Sequence, residues 1–413
     1  MTAPRPSPAS AFELDWLNER RVRAYPRIIV ALYVLLIVVW LSPSEGLVDR
    51  MGKPIGTDFV AFWTAGEMVS RGQASAVYDV PALHAAERKT VGAEIDAFPF
   101  AYPPSLLLIL PALAALPYLL ALPLWLIATF VPFAAVVRWA APHPATLWLT
   151  LALPAAYLNV LHGQAGFLVT ALFGGALLLL SRRPVLAGVL LGLLTFKPHL
   201  GVLVPIALVA GGRWRAVAAA AVSTAVVMLA SFAVFGQETW AAFLAGAEAA
   251  RVHLETGELP WEKMHTVFAG ARLVGIGVVG AYALQAAVSL AVAVTVALAW
   301  RRPADPALRS ALLVAGAVLA APYGFEYDLV LLALPIAWLG WHSVRHGFRP
   351  GEKVVLLMAW LMPFATPGIA TGLGVPLGPL VLAALFWIVW RRIAAEAAAQ
   401  PVAAGGLSER RGG

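Results

Sequence analysis

The sequence predicts an all-α fold, a polytopic transmembrane helical bundle of about twelve helices, and three observations carry that expectation. Of the 413 residues, 61% are hydrophobic and only 12% are charged, with a mean hydropathy of +0.81. Apolar windows of roughly 17–25 residues, each able to cross a hydrocarbon core of about 30 Å as a helix, recur from Arg27 to Trp390. Strand alternation is missing, so these windows read as helices and not as a barrel.

Taken in order, the expected spans are 27–42, 118–137, 145–161 and 164–181, a short pair at 184–196 and 198–211, then 215–235, 273–299, 308–321, 329–342, 354–368 and 374–391. No small-residue cleavage site follows the first apolar run, so 28–41 reads as a retained anchor. Segment 103–117 is too short to span and is expected to be re-entrant, which is tolerated only where protein or water covers its backbone. Residues 1–393 read as a single integral-membrane domain. From 394 onward small and polar residues replace large apolar ones, so 394–413 reads as a disordered cytoplasmic tail. With these spans Arg138 and the basic clusters at 20–23, 182–183, 213–215, 301–309, 345–353, 391–392 and 410–411 fall on one side. Both termini are then cytoplasmic. The loops 42–103 and 236–265 and the turns 162–164 and 322–328 face the exterior. The net charge of +7 is accounted for by these clusters, and no nucleic-acid partner is expected. The chain has no cysteine, which excludes disulfides, thiol catalysis and thiolate metal sites.

Polar residues are scarce enough that each one invites a reading. Gly56-Thr57-Asp58 precedes an expected helix at 59–70 and has the pattern of a helix cap, while a carboxylate just past a membrane exit also suits a general base. Asp79, ahead of Pro81, caps a second helix running to about Val91, with His84 and Arg88 on one face. An amphipathic helix lying on the membrane surface explains that segment, and a contact to an anionic group is the functional alternative. Tyr102-Pro103-Pro104 stiffens the return toward the membrane and is assigned no chemistry. At His162-Gly163-Gln164 a glycine permits a tight helix–helix reversal. Lys197-Pro198-His199 is the strongest polar signal at membrane depth, where ionisable residues face interior cavities. Lys197 suits a phosphate, or it pairs with Glu326 or Asp328 to hold the bundle. Glu326-Tyr327-Asp328 opens a span on the same face as the 162–164 turn. The loop 236–265 carries Glu238, Arg251, His253, Glu262 and His265, and Arg272 is expected to open a helix containing Gln285.

Five runs in order, GTDFVAFWTAGEMVSRGQASAVYD, FAYPP, HGQAGFL, TFKPHLGVLVP and PYGFEYDLVLLALP, resemble glycosyltransferase family 87. These are polytopic GT-C enzymes similar to the polyprenyl-phosphate-mannose-dependent α-1,2-mannosyltransferases of glycolipid synthesis. The resemblance implies a hexosyltransferase, with mannose as the hexose, taking its sugar from a polyprenyl-phosphate donor to a glycolipid or glycan acceptor at the outer face of a bacterial inner membrane. Asp58 would be the general base of an inverting displacement. Lys197, His199, Arg88 and His84 are the candidates for the donor phosphate, and His162, Gln164, Glu326, Tyr327 and Asp328 for substrate. Some relatives carry histidines where this chain has Tyr327 and Asp328. No cofactor and no metal are expected, because a monophosphate leaving group can be neutralised by cationic side chains. Glu94 and Asp96 have the spacing of the acidic metal motif of some GT-C relatives. No His-Glu-x-x-His, Gly-x-Ser-x-Gly or Walker motif is present, which disfavours hydrolases of those kinds and ATP-driven pumps. A transporter or flippase for lipid-linked sugars is the alternative, weakened by the absence of an internal repeat.

Overall fold

The computed structural model describes Leu14, residues 16–42 and residues 46–399. Its described residues form helices and no strand, with isolated bridges only at Val48–Pro54 and Met264–Phe325. Seven helices among them are long and apolar enough to cross a membrane: Glu19–Leu41, Tyr118–Ala140, Trp214–Thr256, Val278–Arg301, Glu326–His346, Glu352–Leu373 and one beginning at Leu377. Shorter apolar helices at Gly166–Leu179, Pro184–Phe196, Pro198–Ala210 and Pro306–Ala320 fill the remaining expected spans except 145–161.

The helix Tyr118–Ala140 shows why the bundle needs a bilayer. Leu122, Trp125, Thr129, Phe133 and Val137, spaced three or four apart, are buried. Leu119, Leu120, Ile127 and Val131 on its other face are more than half exposed. A helix apolar all round needs lipid on the face that the protein does not cover.

Four differences from the sequence reading have local causes. The expected span 145–161 breaks into Thr146–Leu151 and Pro154–His162, because Pro154 starts a new helix and cannot continue the old one. The segment 236–265, expected as a loop, is helical to Thr256, kinking at Gly236 (φ 73°, ψ 176°) and resuming through an alanine-rich stretch. Arg272 closes the helix Val267–Leu273 instead of opening one, and its guanidinium donates to the carbonyls of Ile276 and Glu255 while stacking on Trp261. In the expected tail, 394–399 continue the helix Leu377–Ala399, and 400–413 lie outside the described residues. Segment 103–117 forms two short helices, Pro104–Leu107 and Leu110–Ala114, neither long enough to cross. They pack tightly on Phe59–Ser70, where a Cβ on Gly66 would lie 2.3 Å from the Leu110 carbonyl oxygen.

Polar residues gather in two places. In one, Arg392 donates to Glu352, Ser343 and the Gly347 carbonyl, and His342 lies between Asp305 and Glu396. That lock ties together the starts and ends of the last four helices. In the other, the segments expected to share one face meet: Asp58 reaches Gln164, the His162 ring lies against Tyr327, Ser75 bonds Glu238, and His265 sits on Gly324.

Candidate active site

The approach of two tight turns builds this second cluster. Gly56 (φ 80°) and Thr57 (φ 28°) swing the chain into the helix Phe59–Ser70. Gly163 (φ 60°) reverses it between Pro154–His162 and Gly166–Leu179. A Cβ on Gly163 would fall 2.5 Å from the Phe59 Cβ, so only glycine lets these turns touch. Tyr118 pins one turn by donating to the Ile55 carbonyl (2.7 Å), and Trp125 pins the other by donating to the Gly163 carbonyl (3.0 Å).

Asp58 stands at the N-cap position of its helix but makes no capping bond with its side chain. Its carboxylate instead accepts from Gln164 Nε2 at Oδ2 (2.7 Å), and Oδ1 lies 3.6 Å from His162 Nδ1. The Gln164 amide is fixed in turn by Tyr102, whose hydroxyl donates to Oε1 (2.6 Å). Burial first, and then Asp328 and Asp58, hold the Tyr102 phenol well above its ordinary range, so it stays a donor. His162 Nδ1 and Thr57 Oγ1 are 2.8 Å apart. The Asp58 side chain keeps 25% of its exposure and His162 28%, so this end of the cluster is open. A carboxylate that is oriented by a hydrogen bond and partly exposed is an arrangement that suits a general base.

The inner end is closed. Lys197 follows the 3₁₀ turn Leu193–Phe196 and precedes Pro198, which prevents one continuous helix. Its ammonium pairs with Asp328, both side chains being 5% exposed. The same ammonium lies 5.5 Å from the ring centres of Tyr102 and Tyr327. Asp328 is held by the Phe325 N–H at 3.1 Å. His199 has an unpartnered, buried Nε2, and Glu326 an unpartnered, buried Oε2 within electrostatic reach of His162 and Asp58.

His84 and Arg88 are engaged elsewhere. His84 bonds the Ile95 carbonyl (2.8 Å), and Arg88 pairs with Glu94, both closing the segment after the helix Val80–Val91. Asp79 does cap that helix, accepting from the Ala82 N–H. The helix is not simply solvated, since Glu87 is fully buried and accepts from the Phe98 N–H (3.1 Å). Among the described residues no group of three or more His, Asp or Glu is arranged to hold a metal ion. Two surface grooves, of about 420 Å³ beside Arg301 and about 550 Å³ between Arg183 and Arg215, contain no carboxylate. The candidate site therefore rests on the polar cluster. Sequence reasoning passed over Tyr102 and His265. Nothing in the sequence around either residue signalled its partner.

The fold is that of a polytopic helical membrane protein, with the Asp58 carboxylate at the open end of a polar cluster. The chain belongs to glycosyltransferase family 87, whose family model matches residues 100–322, more than half of the sequence. It is a membrane glycosyltransferase. The matched segment includes Tyr102, His162, Gln164, Lys197 and His199, while Asp58 precedes it and Glu326, Tyr327 and Asp328 follow it. No curated protein and no solved structure matches the chain.

Proposed function

We propose that this enzyme transfers a hexose, mannose in the simplest reading, from a polyprenyl-phosphate donor to a hydroxyl of a glycolipid or glycan on the external face of the bacterial inner membrane. The observation that carries the reading is the Asp58 carboxylate, oriented by Gln164 and open to solvent on one side, beside a buried lysine. An acceptor hydroxyl gives its proton to Asp58 as its oxygen attacks the anomeric carbon. The bond from that carbon to the phosphate oxygen breaks, and polyprenyl phosphate leaves with the electron pair. The displacement inverts the anomeric centre, so a β-linked donor gives an α-linked product.

Lys197 donates one of its three ammonium N–H groups to Asp328, which leaves two to donate to the departing phosphate. His162, whose ring lies against Tyr327, and Glu326, within electrostatic reach of His162, supply substrate contacts in this reading. Arg88 and His84 would reach a phosphate only by giving up their present partners, so the role falls chiefly to Lys197.

The test is incubation of the purified protein with polyprenyl-phosphate [¹⁴C]mannose and a membrane lipid extract. Labelled glycolipid together with free polyprenyl phosphate supports the reading. Donor moved across proteoliposomes with its sugar still attached would favour a flippase instead.

A further inference from the structure

His265 is the most confined polar side chain of the site. It is 2% exposed, on the strand-like stretch that bridges Met264 to Phe325. A Cβ on Gly324 would lie 2.7 Å from its Cε1, so that glycine makes room for the ring, and one on Gly378 would lie 3.1 Å from its Cα, so the second makes room for its backbone. Its Nδ1 is buried and has no hydrogen-bond partner. His199, one residue beyond Pro198, presents a second such atom, its buried Nε2, and its ring meets Tyr323 edge-on at 6.2 Å. The two imidazoles, Lys197 and Asp328 lie within electrostatic reach of one another.

Buried polar atoms are almost always paired, because an unpaired one forfeits the hydrogen bond it had in water. Two such atoms in a single rigid cluster point to a ligand that pairs them. Burial pushes His265 down to about 4, with Asp328 and the Phe325 carbonyl opposing, so at neutral pH the ring carries no charge. Its N–H is engaged by that carbonyl, and Nδ1 is left to a ligand as an acceptor. Phosphate oxygens only accept, and the cationic group beside them is already supplied by Lys197. A sugar hydroxyl both donates and accepts, and neighbouring hydroxyls on a pyranose ring match two neutral imidazoles. Tyr323 and Phe325, perpendicular at 5.5 Å, add the apolar surface that a sugar's C–H face needs.

We propose that His199 and His265 form a subsite for vicinal hydroxyls of a neutral hexose, beside the Lys197–Asp328 pair. The proposal rests on the transferase reading for the ligand's being a sugar, and it moves His199 from phosphate to sugar recognition. Both residues act as specificity determinants.

The experiment is saturation-transfer NMR of the full chain in nanodiscs, with methyl mannopyranoside and methyl glucopyranoside as neutral probes and inorganic phosphate as the anionic one. Wild-type protein is expected to bind a hexoside, with binding weakened roughly tenfold or more by His199→Phe and by His265→Phe. Lys197→Met should impair phosphate binding and largely spare the hexoside. Should a phenylalanine in the His265 slot lower the melting temperature, His265→Asn, smaller and amide-bearing, reads the same loss. The subsite is overturned if the wild type binds neither hexoside, if folded variants bind it unchanged, or if phosphate binding alone is lost. Hexoside binding that depends on both histidines, without any transfer from a lipid-phosphate sugar, would sink the transferase reading and leave the subsite standing.

Discussion

Lys197 and Asp328 are a buried ion pair, and removing one partner leaves an uncompensated charge in a dry site. Lys197→Met should therefore cost about 3–5 kcal/mol of stability, and Asp328→Leu in the same chain should restore most of it. Thermal unfolding in detergent checks this, and additive losses in the double variant would contradict it. Donor affinity gives an independent readout, expected to weaken by roughly 2–5 kcal/mol in the Met variant if the lysine also meets the phosphate. Glu87 makes a separate prediction. Burial pushes its carboxyl up to about 8, against an ordinary 4.5, with the Phe98 N–H opposing and Asp58 adding a smaller push. A raised carboxyl favours the fold in its neutral form, so this contribution is present below about 4.5 and lost as pH rises through about 8. The wild-type melting temperature should fall between pH 5 and 8.5 more steeply than that of Glu87→Gln, and parallel curves would contradict the assignment. At this scale Asp58, Gln164 and Lys197 were legible in the sequence because charge and amide groups are rare in apolar surroundings. Tyr102 and His265 were not, since a tyrosine ahead of prolines and a histidine in a charged stretch read as ordinary loop residues until their contacts with Gln164 and Gly324 are seen.

Glycines at two turns decide how the elements meet. Gly163→Ala would place a methyl group 2.5 Å from the Phe59 Cβ on a backbone at φ 60°. It should destabilise the protein by roughly 1–3 kcal/mol and lower transfer further by displacing His162 and Gln164 from Asp58. Unfolding and activity measured on the same preparation separate the two effects, and unchanged values for both would refute the close approach. Helix positions near 59–70 and 80–91 were readable because caps and prolines mark their starts. The helical stretch up to Thr256 was hidden by Gly236 followed by Gln237 and Glu238, a pattern that reads as a loop although the alanines beyond it favour helix.

At the scale of the whole molecule, two polar clusters stand apart, the one around Asp58 and Lys197 and the Arg392–Glu352 lock, with exposed aliphatic side chains along the helices between them. The arginine distribution in the sequence predicts which of these lies inside the cell. A cysteine at Gln73 should react with an impermeant maleimide on intact spheroplasts, and one at Arg345 should not. The chain has no native cysteine to interfere. Labelling of Arg345→Cys with protection of Gln73→Cys would turn the enzyme over in the membrane. Fold class was legible from composition and from the recurring apolar windows, and so was the short pair at 184–196 and 198–211, which the structure has as Pro184–Phe196 and Pro198–Ala210. The span expected at 145–161 was misread because Pro154 ends one helix and starts another.

The central claim is that Asp58 takes the acceptor's proton, and single-turnover transfer from polyprenyl-phosphate [¹⁴C]mannose by Asp58→Asn tests it most directly. The variant keeps the size of the side chain and a partner for Gln164, so folding and donor binding should persist while transfer falls by at least about a hundredfold. Transfer at close to the wild-type rate by a folded Asn variant would contradict the account.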